Sequence, residues 1–404
     1  MKQTGKEKFE EIKNLDEKNH FQIYNRIPIL LLEGNGSRIR DSKGIEYIDM
    51  LGGIAVNSLG HCHPAVVNAI TDQAKKMIHC SNLYYIEPQA KLANLLIQQS
   101  DLDRVLFCNS GSEAVESAIK LARRWGKNNK SGGEIITMEG SFHGRTLAAV
   151  TATGQEKYKK DFDPLPTGFK IVPFNDLDAI KEQINDRTCA VMLEPVQGEG
   201  GIRLAKSEYL KKLRQLCNDE NILLIFDEVQ CGMGRTGYLF AYQGYDVVPD
   251  IITIAKALGG GFPIGALLAK DEVAKHFSYG DHGTTFGGNP LATAASFATV
   301  STIINDELSK RSLELGEYLM SKLKEKTKDI KVVEEVRGRG LMVGVVLSKN
   351  CKDVVKTMLK KGVLSNCTAD KVIRFVPPLT VPKEDLDKAV HFFVQSLIEV
   401  YPND

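Results

Sequence analysis

Residues 250–270 read DIITIAKALGGGFPIGALLAK, in which Lys256 is the single charge in an otherwise uncharged run from Ile251 to Ala269. Taken as one helix, the run is long enough to be weighed as a membrane span. Such a helix would bury Lys256 in hydrocarbon at a cost of about 2.5–3.5 kcal/mol. It would also carry Gly259, Gly260, Gly261 and Pro263 inside it. Two short apolar strands, Ile251–Ala255 and Ile264–Ala269, joined by a glycine loop, suit the composition better. Lys256 then stands at a strand end. A poorly solvated amine there loses basicity and becomes a nucleophile; the plainer alternative is a lysine whose stem is covered while its ammonium reaches water.

The same rhythm extends outward from this stretch. The runs RVLFCN, EIITM, KIVPF, CAVMLEP, ILLIFDE, IITIA and IGALLA read as strands, and amphipathic segments such as EAVESAIKLARRW and SEYLKKLRQLCNDE lie between them. That alternation predicts an α/β fold with a mostly parallel sheet covered by helices. The expected division is a large domain over 51–309 and a smaller α+β domain over 310–404. The first fifty residues are expected to form an arm and hairpin, turning at Asp41–Gly44, that pack on the smaller domain.

Composition narrows the functional classes. The chain has 404 residues, 43% hydrophobic and 25% charged, within the range of soluble globular proteins. Lys+Arg 52 against Asp+Glu 51 leaves a net charge of +1, so no overall field points to nucleic acid or an anionic membrane. The opening MKQTGKEKFEEIKNLDEKNH has no apolar signal-peptide core, and a cytoplasmic setting is expected. The eight cysteines (62, 80, 108, 189, 217, 231, 351, 367) include no C-x-x-C pair, so reduced thiols are expected in place of a disulfide framework. His61-Cys62-His63 has no second cluster at finger spacing, and no metal is expected.

In open α/β sheets ligands sit beyond the carboxyl ends of the strands. After RVLFCN comes Ser110-Gly111-Ser112 at the start of a helix, which reads either as a phosphate cradle or as a simple N-cap. After ILLIF comes Asp227-Glu228-Val229-Gln230. A buried Asp227 needs a cationic partner, and metal ligation by Asp227 with Glu228 is weakened because adjacent strand residues face opposite ways. Gly232–Gly237 matches G-x-G-x-x-G, yet it leads to Tyr238-Leu-Phe and not to a helix, so a dinucleotide role does not follow. Ser141-Phe142-His143-Gly144-Arg145 adds an aromatic ring and an arginine, and 282–289 (HGTTFGGN) adds hydroxyls. A phosphate cradle, a ring-stacking aromatic, a buried acid, a desolvated lysine and a carboxylate-binding arginine together suit pyridoxal 5'-phosphate.

FCNSGSEAVESAIKLAR, SFHGRTLAAVTATGQEKY, LEPVQGEGG, LLIFDEVQCGMGRTG, IAKALGGGFPIGALLA and HGTTFGGNPLA resemble, in order, the class III aminotransferases with the aspartate-aminotransferase-like fold, fold type I of the pyridoxal-phosphate enzymes. GGIAVNSLGH and SNLYYIEPQ look most like the acetylornithine aminotransferases among them. The resemblance implies that Lys256 binds the cofactor covalently and shuttles the proton, and that Asp227 pairs with the pyridinium nitrogen. By the same resemblance Gln230 bonds the ring oxygen, Val229 and Phe142 cover the two ring faces, and Gly111 and Ser112 hold the phosphate. It implies a homodimer with shared sites, in which Thr285 reaches the phosphate in the other subunit and Thr284 the substrate. Arg145 would bind the substrate α-carboxylate, and Glu199 and Arg374 would be a switch pair that opens for 2-oxoglutarate.

The activity this implies is transfer of the terminal amino group of N-acetylornithine to 2-oxoglutarate, a ping-pong step of arginine biosynthesis. Ornithine, 4-aminobutyrate, succinylornithine and succinyldiaminopimelate are the alternative donors of related enzymes; a catalytically silent scaffold is the alternative outside them. Ornithine aminotransferases carry a tyrosine where this chain has Gly53, and a glycine has no hydroxyl for the free α-ammonium group of ornithine.

Overall fold

The structure is a computed structural model that describes residues 4–403; residues 1–3 and 404, the outer ends of the expected arm and C-terminal domain, lie outside them. The helix Gly5–Asn19 starts where it does because Thr4 and Glu7 cap each other: Glu7 N donates to Thr4 Oγ1 at 3.3 Å, and Thr4 N donates to Glu7 Oε2 at 2.7 Å. No residue of it is buried, and the sequence reading, which follows buried apolar faces, did not include it. Strands β1 (Leu31–Asn35), β2 (Arg38–Asp41) and β3 (Glu46–Asp49) follow as antiparallel neighbours. Asp41 shapes the β2–β3 turn, its Oδ1 accepting from Lys43 N and Ile45 N, both at 2.9 Å.

A seven-stranded sheet forms the centre. Its strands are β4 (Arg104–Cys108), β5 (Glu134–Met138), β6 (Phe169–Val172), β7 (Thr188–Leu193), β8 (Leu223–Asp227), β9 (Ile251–Ile254) and β10 (Gly265–Ala269), in the order β4-β10-β9-β8-β7-β5-β6. Only β10 runs antiparallel to its neighbours. All seven coincide with the seven strand-like runs. Strands β7 and β8 are buried at every residue, which explains why they read as unbroken apolar runs. Alternate residues serve opposite faces. Ala190, Met192, Leu223 and Ile225 pack with Val115, Ala118 and Ala122 of the helix Gly111–Asn129, whereas Val191, Leu193, Leu224 and Phe226 pack with Leu210 and Leu213 of the helix Ser207–Asp219.

A second, antiparallel sheet uses β11 (Val333–Arg339), β12 (Met342–Leu347), β13 (Asn366–Thr368) and β14 (Val372–Phe375), in the order β11-β12-β14-β13. The pair Val363–Leu364 adds parallel to β3, tying the N-terminal strands to this region. Among the described residues no helix is long and apolar enough to cross a membrane, and 251–269 is two strands around a short 3₁₀ turn.

One expectation is overturned. Cys351 and Cys367 are joined as a disulfide with their Cα atoms 5.7 Å apart, while six cysteines are free. The two lie 16 positions apart, and only the return of the chain through β13 brings them within bridging distance. The Gly232–Gly237 segment, for its part, docks the C-terminal region. Arg235 is buried and donates to the carbonyls of Leu341 and Pro377, and burial without a carboxylate partner lowers its pKa to about 9.

Candidate active site

The carboxyl ends of β4, β5, β8 and β9 enclose a cavity of about 340 Å³. Asp227, the last residue of β8, is 3% exposed and faces it. Its Oδ2 lies 2.7 Å from His143 Nδ1, and its Oδ1 accepts from Thr253 Oγ1 and Val229 N, both at 3.1 Å. Glu228 points the other way, where it accepts from Ala241 N and Tyr242 N. Burial pushes the Glu228 carboxyl up to about 8. The pair therefore does not converge on one point, and among the described residues no group of three or more His, Cys, Asp or Glu could hold a metal ion.

Lys256 stands two residues past β9 in the left-handed region, at φ 43°, and lines the same cavity. A non-glycine residue held there marks a strained position. Its Nζ has no hydrogen-bond partner among the described residues. Burial lowers its pKa, opposed by the charge of Glu199. The result favours a free amine.

The helix Gly111–Asn129 opens on the opposite wall. Ser110 Oγ caps it by accepting from Glu113 N at 3.2 Å, which leaves the Gly111 and Ser112 N–H groups beside the cavity without helical partners. Those two donors and the positive helix end suit a phosphate. Gly144 makes room for this turn: it lies at φ +141°, and a Cβ on it would stand 2.4 Å from Ser112 Oγ. His143 holds Asp227 through Nδ1, and a ring nitrogen entering the cavity would meet the Asp227 carboxylate. The residues present thus fit an anionic, nitrogen-containing ring cofactor.

Seven of the expected residues, Lys256, Asp227, Gly111, Ser112, Phe142, Val229 and Gln230, line this one cavity. Glu199 and Arg374 lie just beyond it. Arg374 Nη1 donates to Glu199 Oε1 at 2.5 Å and to Gln230 Oε1 at 2.9 Å, and Gln230 Nε2 donates to Glu199 Oε1 at 3.2 Å. Burial alone would raise the Glu199 carboxyl, but the Arg374 guanidinium outweighs it and holds the pKa below the usual value. Arg374 is 0% exposed, Asn366 Oδ1 takes its Nε, and its Nη2 has no partner among the described residues.

Arg145 is exposed at the mouth, its guanidinium 4.3 Å from the Tyr158 ring centre and 5.6 Å from that of Phe142. Thr284 is part-buried and its Oγ1 accepts from Asn109 Nδ2 at 2.9 Å, within the same chain. Thr285 is exposed and contributes nothing to this cavity. Sequence reasoning assigned no role to His143, Glu194, Tyr158 or Asn109. His143 stands beside Phe142 in a segment already singled out, but its pairing with Asp227 joins β5 to β8 and leaves no local signal.

Residues 22–397 match the family described as aminotransferase class-III. The chain is 54% identical to the acetylornithine aminotransferase of Methanocaldococcus jannaschii, over 96% of this chain and 98% of that one. It is 50% identical to the acetylornithine aminotransferase of Caldanaerobacter subterraneus subsp. tengcongensis, over 95% and 98%. Among solved structures it is similar to the ornithine aminotransferase of Toxoplasma gondii (TM-score 0.94, 33% identity, 98% and 96% covered). It is likewise similar to the acetylornithine aminotransferase of Elizabethkingia anophelis (TM-score 0.86, 32% identity, 97% and 99% covered).

Proposed function

The chain belongs to the class-III aminotransferases, with their fold type I α/β architecture, and from that premise we propose that it moves the terminal amino group of N-acetylornithine to 2-oxoglutarate. The observation that carries this is the cavity itself: an unpaired amine, a held acid and two free N–H groups face one space, and a carboxylate-gripping arginine waits behind an exchangeable glutamate. Pyridoxal phosphate, when bound, weakens the C–H bond beside the amino nitrogen and stores the amino group between half-reactions. Lys256 would hold its aldehyde carbon, Asp227 its ring nitrogen, Gln230 its ring oxygen, Val229 and Phe142 its two faces, and Gly111 and Ser112 its phosphate.

The chain's own chemistry follows. Lys256 Nζ, its basicity lowered by burial, takes the proton from the donor carbon that bears the amino group. Arg145 offers its guanidinium to the donor α-carboxylate, steadied by the Tyr158 face. For the acceptor, Glu199 releases Arg374 Nη1, and the planar guanidinium, whose Nη2 has no partner among the described residues, takes the incoming carboxylate. We include in the proposal a cytoplasmic homodimer, in which Thr284 and Thr285 reach the neighbouring site. Support for the dimer comes from the apolar surface beside them: Tyr85 (107% exposed), Leu83 and Phe286 crowd around a loop pair tied by Asn82 Nδ2 to Gly287 O at 2.9 Å.

The choice of donor rests on Gly53. It lies at φ +66° in a left-handed turn that also takes in Gly52, Ile54 and Ala55 and leads to Val56 on the cavity wall. Gly53 has no side chain, so no hydroxyl is offered there to a free α-ammonium group. Burying that charge without a partner costs about 1–3 kcal/mol or more. Four relatives at 48–54% identity are acetylornithine aminotransferases, which supports the same donor. Comparing kcat/KM for N-acetylornithine, succinylornithine, ornithine and 4-aminobutyrate tests it. The acetylated donor is expected to lead ornithine by about tenfold or more; equal rates with ornithine overturn the substrate and leave the family standing.

A further inference from the structure

Glu194 follows β7 at the back of the cavity and is 4% exposed. It makes no ion pair with lysine or arginine among the described residues. Its two oxygens are instead spent on two backbone segments: Oε1 accepts from Phe142 N at 2.9 Å, and Oε2 accepts from Gly198 N at 3.1 Å. Burial pushes this carboxyl up to about 7, with His143 pulling it down and Asp227 pushing it up. A buried acid with no cation is retained at a cost of solvation, and here it gives two otherwise unpaired N–H groups their acceptors.

The two segments carry different parts of the site. Phe142 sits on the turn after β5. Gly198 precedes Glu199, and its backbone lies flat on Gln230, so that a Cβ at this position would stand 2.2 Å from Gln230 Oε1. A shift of Gly198 therefore moves Glu199 and Gln230, the two groups that hold Arg374 Nη1. Farther out, Gln197 makes a parallel tie, its Nε2 donating to Glu139 O at 2.8 Å, but Gln197 does not line the cavity.

We propose that Glu194 is a positioning residue, binding the Phe142 turn to the Gly198–Glu199 turn so that the ring cover and the arginine gate are held as one unit. This rests on the roles given above to Phe142 and to the Glu199–Arg374 pair. A glutamine at 194 keeps one acceptor and sets an N–H₂ against the other donor.

In the holoenzyme, Glu194→Gln is expected to raise KM for 2-oxoglutarate at least about fivefold and to speed cofactor release, followed by absorbance after dilution, at least about threefold. KM for the amino donor should stay within about twofold. Hydrogen exchange at the Phe142 and Gly198 amides should quicken together. Gln197→Leu, which cuts the outer tie, should lower thermal stability and leave both constants near wild type. A Glu194→Gln enzyme in which neither constant moves, in which only one moves, or in which only stability falls overturns the clamp. Glu194→Asp, too short to reach both amides, is read by the same rule if the glutamine variant does not accumulate. Phe142→Leu should alter cofactor release alone and Glu199→Gln the acceptor KM alone; if both are silent, the reading beneath the clamp fails and the clamp falls with it.

Discussion

The floor of the cavity and its rim each pair a carboxylate with a nitrogen-bearing side chain, the carboxylate buried at the floor and half-buried at the rim, yet they behave oppositely. At the floor, the partners of Asp227 are His143, Thr253 and Val229 N, all fixed to the ends of the central sheet or the turns that follow it. At the rim, Glu199 faces Arg374, which comes from β14 of the other sheet, and Gln230 stands between them. The floor carboxylate has no substitute. The rim carboxylate does, because any incoming carboxylate can offer Arg374 the same geometry that Glu199 offers. A fixed acid suits a group that must hold charge through every turnover; an exchangeable one suits a gate.

The largest effect should come from the floor. Lys256→Ala is expected to reduce amino transfer by about 10⁴-fold, the upper range for a positioned proton-transfer group, with the fold intact. Turnover within a hundredfold of wild type would place the reacting amine elsewhere. Asp227→Ala should cost about 10²- to 10³-fold in both half-reactions, equivalent to two or three pKa units at the ring nitrogen. Rapid-mixing rates for each half-reaction measure this, and a loss confined to one of them would erase the contrast with the rim.

At the rim, Arg374→Ala should slow the acceptor half-reaction by roughly 10- to 100-fold, the worth of a charge-assisted contact, and leave the donor half-reaction within about twofold. Equal losses in both would make Arg374 part of the floor. The smallest effect concerns Glu228, the neighbour that points away. Its folded pKa is raised to about 8, so its contribution to stability is full below its unfolded value and is lost as pH rises through about 8. Glu228→Gln should therefore flatten the fall in Tm between pH 6 and 9 by a few degrees, with turnover at pH 7 little changed. An unaltered pH slope would show that Glu228 is charged throughout.

Legibility followed the distance over which each feature is written. The strands of the central sheet are buried on both faces, so their apolar runs stand out without any tertiary knowledge, and the polar residue that ends each run marks the edge where ligands bind. Asp227 and Lys256 were found this way. The surface helix Gly5–Asn19 was not, because it buries no residue and its capping box is the only sign of it. The Cys351–Cys367 pair was misread because no short spacing announces a bridge.

What the sequence determined by itself is therefore the α/β class, the seven central strands and the residues at their carboxyl ends, since each depends on solvation patterns within a few neighbouring positions. Only the tertiary structure decided which of those residues share a space. It set His143 on Asp227, turned Glu228 away, and joined Arg374 to Glu199 across 175 positions. It also gave Glu194 two amides from segments that no local pattern connects. Pairings of that kind arise from strand order and crossover, and a buried charge takes its partner from whichever strand the topology puts beside it.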